Sequence, residues 1–426
     1  MMMFIRNFDS LAKTETRKAC LKILETGLES IQPQKVIQEN ISFKGEALSI
    51  QNQKFNLKNF KRLHLLGFGK GSGGISKSIE ELLANKLENG FVIDLEAQEF
   101  SKIKFTKGTH PLPSQENLSF TKKSLTSLIS LTEKDLVIVV IAGGGSALFE
   151  DPYKIDLEKL IEVNKALLKC GANIYEMNVV RKHLSKVKGG GLAKLLYPAK
   201  VVSIIASDVP GNDLSVIASG PTVKDPSTKK EAFAILKKFD LWEKLELSED
   251  DFLETPKEDK YFKNVSNTLI LSNLTPLMAM QKKAKELGFN AIIYSDKFQG
   301  EARFVGKELM DKTPPHHILL AAGETIVKVK GNGKGGRNQE LVLGAISDIP
   351  SGVVIASCAT DGWDNSPHAG AIGDIETVKK AKKIKLNPER FLDTNNSFKF
   401  FKKTGDNIVT GRLPSNVSDL MIVVKN

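Results

Sequence analysis

The chain has 426 residues, of which 41% are hydrophobic and 26% charged, and a formal net charge of +11. That length exceeds what one hydrophobic core usually supports, so two domains are expected, with the active site in the cleft between them. The composition excludes wholesale disorder, and dispersed lysines with only five Tyr and two Trp argue against a nucleic-acid surface, leaving a solvated basic surface or an anionic ligand.

The N-terminal stretch MMMFIRNFDSLAKTETRKAC turns charged at once, and no run approaches the roughly 20 apolar residues that span a bilayer, so no membrane partner is expected. Cys20, Cys170 and Cys358 stand far apart without a C-x-x-C pair, which points to a reduced, cytoplasmic protein with no disulfide or zinc framework. Residues 7–40 have helical character. Short apolar runs then alternate with helical segments: LHLLGFG, GFVIDLEA, LVIVVIAGGG and KVVSIIASD. Continuous apolar strands between helices predict a mostly parallel sheet covered on both faces, with ligands beyond the carboxyl ends of its strands. Residues 241–263, LWEKLELSEDDFLETPKEDKYFK, are charged and poorly patterned for a core. They are expected to connect a first domain, 1–245, to a smaller α/β domain, 262–426. In the latter TIVKVKG alternates with a period of two, so its sheet is expected to be mixed.

The run Leu65–Gly74, LLGFGKGSGG, places Gly69, Gly71 and Gly74 in G-x-G-x-x-G, and Asp94 ends the next apolar run. That is nearly the dinucleotide fingerprint. Lys70, however, sits inside the loop where a phosphate would meet it, so hydride transfer and phosphoryl transfer both stay open. Downstream, VIAGGGSALF ends a strand in Gly143, Gly144, Gly145 and Ser146. Successive backbone N–H groups in such a turn form an anion nest suited to phosphate; a tight turn without a ligand is the plainer alternative. The stretch NVVRKHLSKVKGGGLAK, residues 178–194, sets Arg181, Lys182, His183, Lys186 and Lys188 ahead of Gly189 and Gly190. Helical spacing puts Arg181 and Lys188 on one face, and His183 reads as structural.

The loop SDVPGNDLSVIASGPTVKDPST, residues 207–228, carries Asp208, Asp213 and Asp225, carboxylates of the kind a magnesium ion takes beside phosphate oxygens, although such residues also serve turns. In AAGETIVKVKGNGKGGRNQE, residues 321–340, Glu324 ends a strand and glycines deliver Arg337 to a helix start, where its guanidinium fork suits a phosphoryl group. ATDGWDNSPHAGAIGD follows with Asp361 first in line, and TGRLPSNVSDL adds a last polar turn. No G-x-x-x-x-G-K-[ST] or protein-kinase signature occurs, and Ser146 stands one place late for a nucleophile elbow.

Together these segments resemble the glycerate 2-kinase family, whose C-terminal half is the MOFRL domain and whose members were often labelled hydroxypyruvate reductases. The resemblance rests on G-F-G-K at 67–70, T-H-P-L-P at 109–113, G-G-G-S-A at 143–147, N-V-V-R-K-H-L-S-K-V-K-G-G at 178–190, S-D-V-P-G-N-D and I-A-S-G-P-T within 207–222, G-G-R-N-Q-E at 335–340, T-D-G at 360–362 and N-V-S-D-L at 416–420. It implies a Rossmann-like N-terminal domain and ATP-dependent phosphorylation of the 2-hydroxyl of D-glycerate, with Mg2+. Lys70 and Arg337 match the family's central lysine and arginine. On that resemblance Gly143, Gly144, Gly145 and Ser146, with Gly189 and Gly190, are expected on ATP. Asp208 joins the catalytic set and, with Asp213, is expected on the metal or the hydroxyl. Arg181, Lys188, Glu324 and Asp361 are expected on glycerate. The oligomeric state stays open, a homodimer among the options. The competing reading is an NAD(P)H-dependent hydroxypyruvate reductase using Gly69–Gly74 and Asp94. The chain departs from the family pattern at His368, where an aspartate is customary, and at Arg412 and Leu413, which puts the acceptor preference in doubt.

Overall fold

The computed structural model describes residues 3–209 and 211–426. They form two compact units: Val36–Ile270, and Leu271–Asn426 together with the N-terminal segment up to Lys35.

In the Val36–Ile270 unit, β1 (Ile41–Lys44), β2 (Ala47–Ile50) and β3 (Gln53–Asn56) make a small antiparallel sheet. A six-stranded sheet follows, from β4 (Arg62–Phe68), β5 (Asn89–Asp94), β6 (Ile103–Lys107), β7 (Asp135–Ile141), β8 (Lys200–Ala206) and β9 (Val265–Leu271), in the order β6-β5-β4-β7-β8-β9. The pairs linking β6 through β8 are parallel. All seven residues of β7, DLVIVVI, are buried, as the unbroken apolar run predicts for a strand covered on both faces. The chain builds outward from β4 through β5 and β6, then returns to β4's other side to lay down β7 and β8. Strand order therefore reverses between β4 and β7, and the carboxyl ends of those two strands are where an open α/β sheet leaves a crevice.

The second unit contains β10 (Asn290–Phe298), β11 (His317–Gly323), β12 (Val353–Ala359), β13 (Gly370–Gly373), β14 (Asn407–Ile408) and β15 (Asp419–Lys425), ordered β10-β11-β15-β12-β13-β14. This sheet is mixed, but not through TIVKVKG. That segment makes only an isolated bridge at Ile326, and Ile326 and Val329 lie exposed. The mixture arises because β10 and β11 pair in parallel, whereas β15 inserts antiparallel between β11 and β12 and β13 and β14 continue antiparallel.

Side chains of this sheet alternate between two cores. Ile318, Leu320, Leu420, Ile422, Val354 and Ala356 face one, with Leu21, Leu24 and Leu28 of helix Glu15–Ser30 and Leu277 and Met280 of helix Leu274–Glu286. Leu319, Ala321, Met421, Val423 and Ile355 face the other, with helices Ala302–Lys312 and Arg337–Ile346. Helix Glu15–Ser30 therefore belongs to the second unit, not to the expected first domain, because its apolar face covers that sheet. Arg17, fully buried, fastens it: Nε reaches Asp374 at 2.6 Å and Nη1 reaches Asp406 at 2.8 Å.

Residues 241–263 also differ from the expected connection. Leu241, Leu245, Leu247 and Phe252 are buried against helices Leu157–Lys169, Ile174–His183 and Lys229–Lys238. The aromatic residues Phe233, Trp242 and Phe252 pack in a cluster with centroids 5.0 to 6.0 Å apart. The apolar residues are too irregularly spaced to show one helical or strand period, so the charged text conceals a core-forming segment. The unit ends with β9, past the expected boundary at 245.

Candidate active site

Three glycine-bearing turns meet at the β4/β7 reversal. The Lys70 N–H donates to the Gly143 carbonyl at 2.7 Å, tying the loop after β4 to the turn after β7. Gly69 makes this approach possible: its φ is +113°, and a Cβ there would stand 2.3 Å from the Ala142 carbonyl oxygen. At Gly144, φ +75°, a Cβ would lie 3.0 Å from Lys70 Cε and 2.9 Å from His110 Cδ2. At Gly143 it would collide with the Asp208 carboxylate at 2.0 Å. The expected Lys70, Gly143, Gly144 and Asp208 are thus brought together, and His110 joins them from a segment to which the sequence reading gave no role. The His110 imidazole is pushed down to about 4 by partial burial and by the positive charge of Lys70, so at neutral pH it is uncharged.

Asp94 has a different place from the one a dinucleotide site requires. Its Oδ2 accepts from the N–H groups of Gly71 and Gly73 at 2.9 and 2.8 Å, and its Oδ1 from Leu95 N–H at 2.6 Å. The carboxylate therefore occupies the N-terminal end of helix Ser72–Leu83, the position a cofactor pyrophosphate would take. Burial pushes Asp94 up to about 6, against the pull of these three donors.

Ser146 Oγ lies 2.8 Å from Ser219 Oγ, and Ser219 in turn donates to Asn178 at 2.9 Å. This fastens the 143–147 turn to the I-A-S-G-P segment, where Ala218 and Ser219 hold φ of +50° and +60°. Gly189 and Gly190 do not offer the donors expected of them. Their N–H groups are bonded to the carbonyls of Ser219 and Gly220 at 3.0 and 2.8 Å, and their α-carbons pack on Thr255 and Phe262. They brace the same segment rather than face a phosphate.

Arg181 and Lys188 do not share a helix face, because the helix ends at His183 and Lys188 lies in the turn beyond it; they approach each other around a third residue, Glu150. Lys188 is 2% exposed and bonded to Glu150, itself 3% exposed and also bonded by Ser185 at 2.5 Å. Burial holds the Lys188 ammonium below its usual range. A cation so enclosed is a support and is closed to a substrate carboxylate. Arg181 is half-buried, its Nε on Asn164 Oδ1 at 2.7 Å, and burial lowers it against the attraction of Glu150. Lys182 pairs with Asp225 at 2.9 Å, and His183 bonds the Val179 carbonyl at 2.8 Å, the structural place expected. Asp213 turns its Oδ1 onto Ser215 N–H at 2.8 Å in an exposed turn.

In the other unit Arg337 opens helix Arg337–Ile346 and is fixed from two sides. Asp419 takes Nε at 2.5 Å and Nη2 at 3.3 Å, and the exposed Glu324 takes Nη2 at 3.1 Å. Asp419 is buried, and burial pushes its carboxyl up to about 7 against the pull of Arg337. Asp364, also buried, accepts from the N–H groups of Asn338 and Gln339 at 3.0 and 2.8 Å. The loop before Arg337 is strapped down by Asn395, whose Oδ1 accepts from Lys330 and Gly331 at 2.6 and 2.9 Å and whose amide donates to Glu340 at 3.2 Å.

Asp361 bonds Trp363 N–H at 2.9 Å in a turn. His368 is buried and stacks on Phe398 at 4.4 Å, with burial holding it down at about 4, so the departure from aspartate fills an aromatic packing site. Arg412 lies over the Trp363 ring at 4.2 Å.

Among the described residues no three His, Cys, Asp or Glu are grouped to hold a metal, and no helix is long and apolar enough to cross a membrane. A magnesium ion shared with phosphates needs only one or two carboxylates, and Asp208 at the glycine turn fits that requirement better than Asp213.

A family model described as a domain of unknown function (DUF4147) matches residues 19–254, and the MOFRL family matches residues 317–419. The chain is 36% identical to a glycerate 2-kinase of Pyrococcus horikoshii, covering 96% of this chain and 97% of that one. It is likewise 36% identical to a D-glycerate 2-kinase of Thermotoga maritima, over 95% and 97%. A crystal structure of glycerate kinase from Thermotoga maritima superposes with a TM-score of 0.86 at 34% identity, covering 96% of this chain and 99% of that one. A relative from Agrobacterium vitis, 33% identical over 85% of this chain and 87% of its own length, carries the name of a putative hydroxypyruvate reductase.

Proposed function

The chain belongs to the glycerate 2-kinase family and is a kinase, and from that premise we propose that it transfers the γ-phosphoryl group of ATP to the 2-hydroxyl of D-glycerate. The observation that carries this reading is the pair of facts at the β4/β7 reversal. Lys70 faces the Gly143–Ser146 turn, while Asp94 fills the neighbouring helix start that a nicotinamide cofactor would need. The glycine pattern that a dinucleotide site would use has its anion position taken by the chain's own carboxylate.

Phosphoryl transfer asks for positioning and charge neutralisation more than for covalent help. Lys70 and the glycine turn hold the ATP phosphates. Arg337 bonds its two carboxylates through Nε and Nη2, which leaves the Nη1 donors for the transferring group. Arg181 meets the glycerate carboxylate, with Lys188 and Glu150 as its buried support. Glu324 and Asp361 serve the substrate's hydroxyl side. Magnesium, when bound, would neutralise phosphate charge, with Asp208 as its protein ligand.

The test is the nucleotide requirement. Turnover of D-glycerate should need ATP, and hydroxypyruvate should consume neither NADH nor NADPH. Nicotinamide oxidation without ATP-dependent turnover would overturn the reading.

A further inference from the structure

T-H-P-L-P at 109–113 is a family segment that the proposed roles leave unused. Its histidine stands at the glycine turn. His110 and Lys70 flank the same α-carbon: a Cβ on Gly144 would lie 2.9 Å from His110 Cδ2, 3.1 Å from His110 Nε2 and 3.0 Å from Lys70 Cε. The residue keeps an exposed face, so its ring is within reach of a ligand seated on the turn.

The placement is built rather than incidental. Asn117, fully buried, accepts from Thr109 N–H at 3.0 Å and donates to the Thr109 carbonyl at 2.9 Å. The same amide donates to the Ala147 carbonyl at 2.9 Å. One side chain therefore locks the residue before His110 to the turn that carries Gly143–Ser146. A buried polar side chain satisfied on both segments holds them in one register.

We propose that His110 is a further catalytic residue, which hydrogen-bonds a phosphate oxygen of ATP at the Gly144 turn beside Lys70. This rests on the kinase reading above. A neutral imidazole offers one N–H donor and no charge, so the two side chains present one cation and one neutral donor to the same anion. Burial and, after it, the nearby charge of Lys70 hold the imidazole below its usual range, since a second cation so close is disfavoured. Glycine at 144 is then required twice, for its positive φ and for the space in which both side chains meet the ligand.

The experiment is titration calorimetry of magnesium ATP into the wild-type protein, His110→Ala and His110→Asn, followed by D-glycerate turnover and thermal melting of each. The expected result is ATP binding weakened about tenfold or more in His110→Ala, the worth of one hydrogen bond to a charged group. His110→Asn should recover part of it through its amide N–H, with melting temperatures unchanged. KM for D-glycerate should move much less than that for ATP. Unaltered ATP binding in a folded His110→Ala, or a loss confined to D-glycerate, would overturn the assignment. A wild-type protein that binds ATP without phosphorylating D-glycerate would sink the kinase reading, while His110 would still be judged by the binding data.

Discussion

The Lys70 loop and the Arg337 loop solve one problem in two ways. Each is a glycine-rich segment that runs from a strand into a helix, and in each a buried aspartate from elsewhere in the unit caps the helix start: Asp94 on Gly71 and Gly73, Asp364 on Asn338 and Gln339. Neither helix end is left open for an anion, so in both cases the proposed role at the phosphates falls to the basic side chain and not to the helix dipole. The cations differ in what holds them. Lys70 stands beside a neutral imidazole and above a glycine, whereas Arg337 is clamped by Asp419 and Glu324. A compact ammonium on a flexible stem can follow a moving phosphoryl group; a planar guanidinium clamped by two carboxylates acts as a fixed template.

That contrast separates two substitutions. Lys70→Ala should lower kcat about a thousandfold with little change in stability, because nothing buried depends on it. Arg337→Ala should cost a similar factor in kcat and in addition destabilise the fold by about 3 kcal/mol, since Asp419 is left buried without its partner. Kinetics with urea unfolding on both variants would check this, and equal stability losses would break the comparison.

Glycine substitutions sharpen it. Gly144→Ala should reduce kcat/KM for ATP about a hundredfold, because the new methyl displaces Lys70 and His110, while the fold persists. Gly336→Ala would place a Cβ 2.2 Å from Asp364 Oδ1, so its main effect should be lost stability, about 2 kcal/mol or more, through the broken cap. Melting curves beside steady-state rates distinguish the two outcomes.

Both loops should also carry a pH signature. Asp94 and Asp419 are pushed up to about 6 and about 7, above the value near ~3.9 of an unfolded aspartate. Their folded forms hold protons that the unfolded chain releases, so the stability they contribute is present at low pH and lost as pH rises through those values. Between about pH 4 and pH 7 the wild-type protein should lose unfolding free energy relative to Asp94→Asn and to Asp419→Asn. Parallel pH dependence of wild type and variants would remove these groups from the account. The smallest effect is expected from Arg412→Ala, about 0.5 kcal/mol for an exposed cation–π contact on Trp363, readable as a slight shift in melting temperature.

Much of the first unit is legible in the sequence because its signals are local. Apolar runs ending in glycine or aspartate define β4, β5, β7 and β8, and their turns fall at one sheet edge. What escapes is long-range. Asp94 was visible twenty residues past Gly74, yet its spacing fits a ribose ligand and a helix cap equally; only the hydrogen bonds separate them. Asp419 lies within the quoted N-V-S-D-L segment, but its tie to Arg337 spans 82 residues of chain. Glu150, Asn117 and Asn395 carry no motif at all, and Lys188 looked like an open cation because nothing nearby reveals Glu150 above it. Which sheet covers helix Glu15–Ser30 escapes the sequence for the same reason: an amphipathic face shows that a helix is covered, not by which sheet.

The most direct measurement is product identity. Purified protein is given D-glycerate, ATP and magnesium, and the product is coupled to enolase with and without phosphoglycerate mutase. Signal without the mutase identifies 2-phosphoglycerate, as phosphorylation of the 2-hydroxyl predicts. Signal only with the mutase, or no phosphoglycerate alongside NADH oxidation by hydroxypyruvate, would contradict it.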